Sequence, residues 1–360
     1  MKKVLQVSCC TLMIAYAVMG SNGVNARPLL LNDIDPSRIF SESQISLEIV
    51  NIENSKLSLQ KPTQLNDFQY EYLLHHKIKH INAADLSSSE HAELKALSSY
   101  QSKTYRVHEE GPLPIKIFDI ASLAKSKLFQ YEVGQQEKYL YEQLTNNVNA
   151  FLNQDFNNPL TFLAAQKVIS NVSDQQAKAI GDSMITKSVL DKNQAVLLGQ
   201  LGSIIVQPAY FKKALTSLTD GAEGHKILEN MNLMLEATDS IVIFEELIQD
   251  KSYLASQALL YYSKLPSYMH NSNMLFNLLS DEKLGSSAAF VISQNLSANN
   301  LAQTLNIISN NQSSRVQVAN ALMTLKSAQS ITANNAIKDL LQNNKIPYVD
   351  MAKEVSQWAL

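Results

Sequence analysis

The chain has 360 residues, of which 45% are hydrophobic and 18% are charged, and its formal net charge is −3 at pH 7. This composition excludes an intrinsically disordered chain, and the length allows roughly two or three folded domains. A mildly acidic chain without a basic run also argues against nucleic acid as a partner.

Residues 1–26 have the pattern of a secretory signal peptide. A short basic segment precedes an apolar run from Val4 to Met19, and small residues occupy positions 24 and 26. We therefore expect cleavage between Ala26 and Arg27 and a periplasmic or extracellular location. The apolar run is shorter than the roughly 20 residues that a transmembrane helix needs, so no stable membrane span is expected after processing.

Residues 27–118 alternate between apolar and polar positions, a pattern typical of half-buried strands. The alternation recurs in segments 45–49, 57–59, 68–72, 104–107 and 115–117. We predict a small antiparallel β module of about five strands. It contains one short helix at 89–97, capped from Ser87. In 119–157, apolar spacings near three and four predict a helical segment that links this module to the following repeats and caps the first of them.

Residues 158–343 contain a helical segment that returns with a period of about 31 residues. Each copy begins with a small residue before an apolar run, and the lead alanines stand at positions 165, 195, 258, 289 and 319 or 321. One alanine is missing, and Lys226-Ile227-Leu228 stands in its place. About six helix pairs fit this span, and a helix in 344–360 is predicted to cover the last pair. The glycines expected in the connections are Gly202, Gly221, Gly224 and Gly285.

The repeated unit resembles the short HEAT-like helical repeats. The matching residues of the two clearest copies are Ala289, Phe290, Ile292, Leu296, Leu301, Leu305 and Ile308, and Val318, Ala319, Leu322, Leu325, Ala336, Ile337, Leu340 and Leu341. The copies lack the mid-repeat proline and the Asp/Arg pair that are frequent in that family. The resemblance implies an α-α superhelical solenoid that binds another macromolecule, and it implies no reaction. The fold class expected for the whole chain is α+β, with the β module followed by a HEAT/ARM-like solenoid.

A histidine cluster, His75, His76 and His80, is the candidate metal site. If the segment is helical, His76 and His80 share one face, a spacing found in zinc sites, and His91 is a possible third ligand. Exposed histidines beside lysines are the better explanation, so we expect no metal and no cofactor. Both cysteines lie in the signal segment, which leaves the processed chain without a disulfide or a thiolate.

Amide-rich second helices are the predicted binding surface, because second helices line the concave face of HEAT-like arrays. Neutral amides interspersed with aromatic rings are able to bind a peptide backbone or a sugar. The alternative is a solvent-exposed face of low charge without a ligand. The candidate residues are Tyr210, Tyr268, Asn273, Asn277, Asn300, Gln303 and Asn334.

These patterns predict an exported, non-enzymatic binding or scaffold protein whose helical repeats contact a protein partner. Two alternatives stay open. One is a hydrolase or metal-dependent accessory enzyme with a site around His76, His80, His108 and Glu110 in the β module. The other is a carrier of a lipid or another hydrophobic ligand, which requires a large apolar cavity. No catalytic motif in the sequence rises above background.

Overall fold

A computed structural model describes residues 29–55, 62–108 and 111–358. The chain divides into a first unit that ends at Tyr131 and a second unit that begins at Glu132. The predicted signal segment, its cleavage site and the predicted strand at 57–59 lie outside the described residues. Within those residues, no helix combines the length and the apolar character needed to cross a membrane.

The first unit combines helices with a two-stranded antiparallel sheet. Its elements are α1 (Glu42–Asn54), α2 (Asp67–His80), α3 (Ser88–Leu97), β1 (Tyr105–His108), β2 (Gly111–Lys116) and the start of α4 (Ile120–Asn146). Each of the first three helices begins with a capping box, in which the N-cap side chain and the side chain three residues later bond to each other's backbone N–H. The N-cap residues are Ser41, Asn66 and Ser87.

The prediction of a β-rich module was wrong for segments 45–49 and 68–72, which lie in α1 and α2. The alternation there is too short to separate a strand from a helix, and the capping boxes favour the helix. In α2 the buried residues are Phe68, Glu71 and Ile78, a spacing of three and seven that defines one helical face. The predictions for the short helix and for strands at 104–107 and 115–117 are confirmed by α3, β1 and β2.

The core of the first unit forms around Phe68, whose ring centroid lies 5.0 Å from that of Phe40 and 5.2 Å from that of Phe118. Next to this core, the fully buried Glu71 accepts a 2.6 Å hydrogen bond from the backbone N–H of Lys103 and another from the Thr104 hydroxyl. A buried carboxylate requires such donors, since an unpaired one is strongly destabilising. Glu71 therefore fixes α2 against the segment that enters β1.

The second unit is an array of stacked helix pairs. After α5 (Val148–Leu152), the pairs are α6 (Pro159–Asn171) with α7 (Asp174–Ile185), α8 (Lys192–Ile205) with α9 (Pro208–Ser217), α10 (Ala222–Met234) with α11 (Ala237–Gln249), α12 (Ala255–Tyr262) with α13 (Ser272–Leu278), α14 (Gly285–Gln294) with α15 (Ala298–Ser309), and α16 (Arg315–Ser327) with α17 (Ile331–Gln342). Helix α18 (Val349–Trp358) follows and packs on α17. The first helix of each pair packs on the first helix of the next. The predicted mostly helical, solenoid-like array is therefore confirmed.

The lead alanines are buried where first helices meet; they are Ala165, Ala195, Ala258, Ala289 and Ala321. In α10, Ile227 stands where this alanine is missing. The preceding first helix accommodates it, because a Cβ atom added to Gly199 would lie 2.6 Å from Cδ1 of Ile227. A glycine on the neighbouring first helix thus leaves room for the larger side chain of the irregular copy.

The prediction that four glycines mark connections was wrong for three of them. Gly202, Gly224 and Gly285 lie within helices, and only Gly221 of the four, with a φ of 95°, lies in a connection. The helical three occur where a helix closely approaches another side chain, namely Phe211, Tyr253 and Asn320 respectively. Steric fit between helices, not turn formation, explains them.

We predict opposite effects on stability for two glycine-to-alanine substitutions in this unit. In Gly181→Ala, the new methyl group overlaps the buried ring of Tyr210, so the free energy of unfolding falls by about 1–3 kcal/mol. In Gly134→Ala, nothing lies within 4 Å of the added carbon. The better helix propensity of alanine then raises the same quantity by roughly 0.5–1 kcal/mol.

Urea denaturation of both variants and the parent chain measures these changes. Gly134→Ala is the matched control, because it makes the same chemical change in an open helical position. A Gly181→Ala variant as stable as Gly134→Ala would contradict the close fit between Gly181 and Tyr210.

Candidate functional site

The second unit carries two open grooves, one on each row of helices. The first-helix groove has a volume of about 750 Å³ and lies across α10, α12 and α14; its lining includes His225, Tyr253, Gln257, Leu260, Ser287 and Phe290. The second-helix groove has a volume of about 660 Å³ and lies along α13; its lining includes Gln249, Lys251, Asn273, Met274, Asn277 and Asp281. Both are candidate binding sites.

Three exposed apolar residues on successive first helices share the same local burial pattern. Leu260 on α12, Phe290 on α14 and Met323 on α16 have exposed fractions of 47%, 40% and 39%. Each directly follows two buried residues, which are Ala258-Leu259, Ala288-Ala289 and Ala321-Leu322. Because α12 packs on α14 and α14 on α16, these side chains form a row, which we call the apolar ladder.

The apolar ladder begins at α12. On α10, the residue that follows the buried pair Ile227-Leu228 is Glu229, which is exposed. Single exposed apolar side chains are ordinary on protein surfaces. Three in the same position on consecutive packed helices place apolar side chains along one row, an arrangement that favours an interaction site.

Polar side chains line the groove beside the apolar ladder. His225 Nδ1 is hydrogen-bonded to the side-chain oxygen of Gln257, and the hydroxyls of Ser256 and Ser287 lie 2.9 Å apart. Burial raises the pKa of Tyr253, whose hydroxyl has no hydrogen-bond partner among the described residues. Its hydroxyl therefore stays protonated near neutral pH. These groups are suited to hydrogen bonding with a partner and not to nucleophilic attack.

An ion pair at the second-helix groove joins two connections of the array. The Nζ atom of Lys251 lies 2.6 Å from Oδ2 of Asp281, whose other oxygen accepts hydrogen bonds from the backbone N–H groups of Lys283 and Leu284. These donors, with Lys251 first, lower the pKa of Asp281 to about 2. The charges in this groove are thus already paired within the chain.

The structure separates the residues predicted to form the binding surface. Asn273 and Asn277 are exposed and lie together in the second-helix groove. Tyr268, 87% exposed, lies in the short 3-10 turn at Ser267–Met269. Asn300 is half-buried, and its amide donates to the carbonyl oxygen of Asn295 at 2.9 Å. On α15 and α17, Gln303 is half-buried and Asn334 is exposed.

Tyr210 was wrongly predicted to be part of an exposed surface. Its side chain is 1% exposed, and its hydroxyl donates to a carboxylate oxygen of Asp182 at 2.7 Å. Burial and this hydrogen bond raise the pKa of Tyr210. The ring fits against Gly181 of the neighbouring second helix, a contact that makes Tyr210 part of the core.

The candidate metal ligands lie in the first unit. His76 and His80 are one turn apart on α2, with ring centroids 4.2 Å apart, and Nδ1 of His80 is 2.7 Å from the carbonyl oxygen of His76. His91 on α3 packs against the ring of Tyr131. Within the described ranges, no group of three or more His, Cys, Asp or Glu residues is arranged to hold a metal ion. Glu110 lies outside those ranges.

The apolar ladder was not predicted from the sequence, in which Phe290 was named only as a residue that matches the HEAT-like unit. The missed signal is helical phase. Successive residues of a helix point about 100° apart, and in α12, α14 and α16 this phase directs Leu260, Phe290 and Met323, each after a buried pair, away from the core. An uninterrupted apolar run conceals that phase.

Comparison with known proteins found no match among protein-family models, none among curated proteins and none among solved structures. Function is therefore inferred from the geometry of the two grooves.

We predict that Asp281→Asn lowers the free energy of unfolding at pH 7 by about 1–3 kcal/mol, because the charged hydrogen bond that Lys251 donates to the carboxylate is lost. The folded-state pKa of about 2 lies below the ordinary value of 3.8. The ionised carboxylate therefore stabilises the fold above about pH 4, and this contribution is lost as the pH falls towards 2.

Denaturation of parent and variant at pH 7, 4 and 2.5 measures the difference, which should shrink at the lowest pH. Glu282→Gln is the control, since it removes a neighbouring exposed carboxylate. A constant difference between parent and Asp281→Asn at all three pH values would contradict the assignment.

Proposed function

We propose that this chain is an exported, non-enzymatic binding protein of the HEAT-like repeat class, and that its first-helix groove contacts a protein partner. The supporting observation is the apolar ladder, with its exposed fractions of 47%, 40% and 39% beside neutral hydroxyl and amide groups. An apolar centre bordered by hydrogen-bonding groups is the usual composition of a protein–protein interface.

A protein partner fits the groove better than a lipid does. A lipid carrier needs an apolar cavity that encloses acyl chains, whereas the first-helix groove is open and carries serine and glutamine side chains. The stacked helix pairs support the same proposal, since such arrays present long rigid surfaces to macromolecules.

Export is the second part of the proposal and is supported by the sequence of residues 1–26. The basic start, the apolar run and the small residues before Arg27 match a cleavable signal. The partner is then expected in the periplasm, at the cell surface or in the medium. An exported chain without cysteines after cleavage relies on burial for its stability, which agrees with the buried lead alanines.

We predict that Phe290→Asp abolishes capture of the partner from periplasmic extract or culture medium by the immobilised processed chain. A carboxylate placed in the middle of the apolar ladder must be desolvated on binding, which weakens the complex by more than about tenfold. Mass spectrometry compares the captured proteins with those held by the parent chain.

Val189→Asp is the matched control, because Val189 is 78% exposed but does not line the first-helix groove. The proposal requires a protein that the parent and Val189→Asp chains retain and the Phe290→Asp chain loses. Identical captured sets for all three chains would refute the use of this groove.

We predict that the full chain, expressed with its own N-terminus in a secreting bacterial host, is exported and begins at Arg27. Ala26→Lys should block cleavage, since signal peptidase requires a small residue there. N-terminal sequencing and cell fractionation measure both effects. A full-length chain confined to the cytoplasm in both cases would contradict the proposed export.

A further inference from the structure

We infer that the occupant of the first-helix groove is an amphipathic helix with carboxylates along one flank. This inference rests on the proposed function, namely that the groove is a docking site for a protein. It adds the secondary structure, the apolar spacing and the charge of the partner segment.

The spacing of the apolar ladder favours a helix over an extended peptide. Packed helices lie about 8–10 Å apart, which sets the step from Leu260 to Phe290 and from Phe290 to Met323. A partner helix that crosses the ladder rises about 1.5 Å per residue, so seven residues, or about two turns, span the distance between two neighbouring ladder residues. Side chains seven residues apart lie on the same face of the partner helix, so each of them contacts one ladder residue. An extended strand rises about 3.3 Å per residue, and the step then corresponds to roughly three residues. Side chains three residues apart in a strand point to opposite faces, so a strand cannot direct all three of its contacting side chains towards the ladder.

Two lysines supply positive charge along one edge of the apolar ladder. Lys264 follows Leu260 by four residues in the turn just after α12, and Lys326 follows Met323 by three on α16. Both therefore lie towards the C-terminal ends of the two helices. Both are exposed, and within the described residues neither forms an ion pair with a carboxylate. Their charge is available to a partner.

Aromatic rings hold both ammonium groups in place. The Nζ atom of Lys264 lies 5.1 Å from the ring centroid of Tyr261, and that of Lys326 lies 4.2 Å from the ring centroid of Trp358. Cation–π contacts of this kind restrict a flexible side chain without neutralising it. The two positive charges therefore lie beside the apolar ladder near the C-terminal ends of α12 and α16, with α14 between these helices.

The residues at the opposite edge of the ladder and at its α10 end restrict where an acidic partner helix can lie. The opposite edge carries Ser256, Ser287 and Asn320, which are neutral. On α10, Glu229 takes the ladder position and repels carboxylates there. An acidic helix is thus directed over α12, α14 and α16. Three anchors at seven-residue spacing require a segment of roughly 15–20 residues.

Two synthetic peptides test the inference with the processed chain. Each is a helix of about 21 residues with leucines on one face; the first carries glutamates along one flank and the second carries lysines at the same positions. Fluorescence anisotropy at low and high salt gives the affinities. The acidic peptide should bind about tenfold more tightly at low salt, and the preference should shrink at high salt.

Three variants complete the experiment. Lys264→Glu combined with Lys326→Glu should remove or reverse the charge preference. Lys178→Glu combined with Lys338→Glu should leave it unchanged, because these exposed lysines lie on second helices. Phe290→Asp should abolish binding of both peptides. Circular dichroism confirms that each variant is folded.

Equal affinity for the two peptides, a preference that survives the Lys264/Lys326 double variant, or no binding of either peptide would overturn the inference. Capture of a partner that Phe290→Asp loses would still uphold the proposed function in each of those cases. If Phe290→Asp leaves partner capture intact, the proposed function itself fails, independently of the peptides.

Discussion

The repeat array depends on close contact between successive first helices. Small residues make this contact possible, and a glycine faces a large side chain where one approaches. Gly199 faces Ile227 of the next first helix, and Gly224 faces Tyr253 in the connection before α12. Protein interiors have too little free volume for any other solution. In α12, α14 and α16, the residue that follows a buried pair points outward. The row formed by Leu260, Phe290 and Met323 is therefore a consequence of how the helices stack.

The first unit is stabilised by a different kind of contact. Glu71 is fully buried and is held by the backbone of Lys103 and the hydroxyl of Thr104, which lie just before β1. A buried carboxylate is tolerated only when such donors surround it, so this contact fixes the position of the hairpin against α2. The second unit instead relies on the fit between apolar and small side chains.

The sequence predicted the repeats well because their signal accumulates over six copies, so that one irregular copy around Ile227 did not obscure the period. The first unit offered no such repetition. A five-residue alternation at 45–49 suggested a strand, whereas the capping box formed by Ser41 and Gln44 starts a helix.

The exposed amides Asn273 and Asn277 were predictable from their polarity. The burial of Tyr210 was not, because it depends on Gly181 in the preceding pair. Local patterns do not contain contacts between distant residues, and these contacts decide which side chains remain exposed.

Charge pairing differs between the surface around the second-helix groove and the surface beside the apolar ladder, and this difference bears on which of the two is available to a partner. On the second-helix row, Lys212 pairs with Glu246 and Lys251 with Asp281, each at 2.6 Å. Beside the apolar ladder, Lys264 and Lys326 are held by aromatic rings that leave their charge uncompensated. Forming a complex on the second-helix row would require these ion pairs to be disrupted or desolvated, at a cost in free energy. In the proposed complex, a partner at the first-helix groove would cover apolar surface and gain new charge pairs. These costs and gains in free energy favour the first-helix groove as the proposed docking site. The binding surface predicted from the sequence was instead on the second helices.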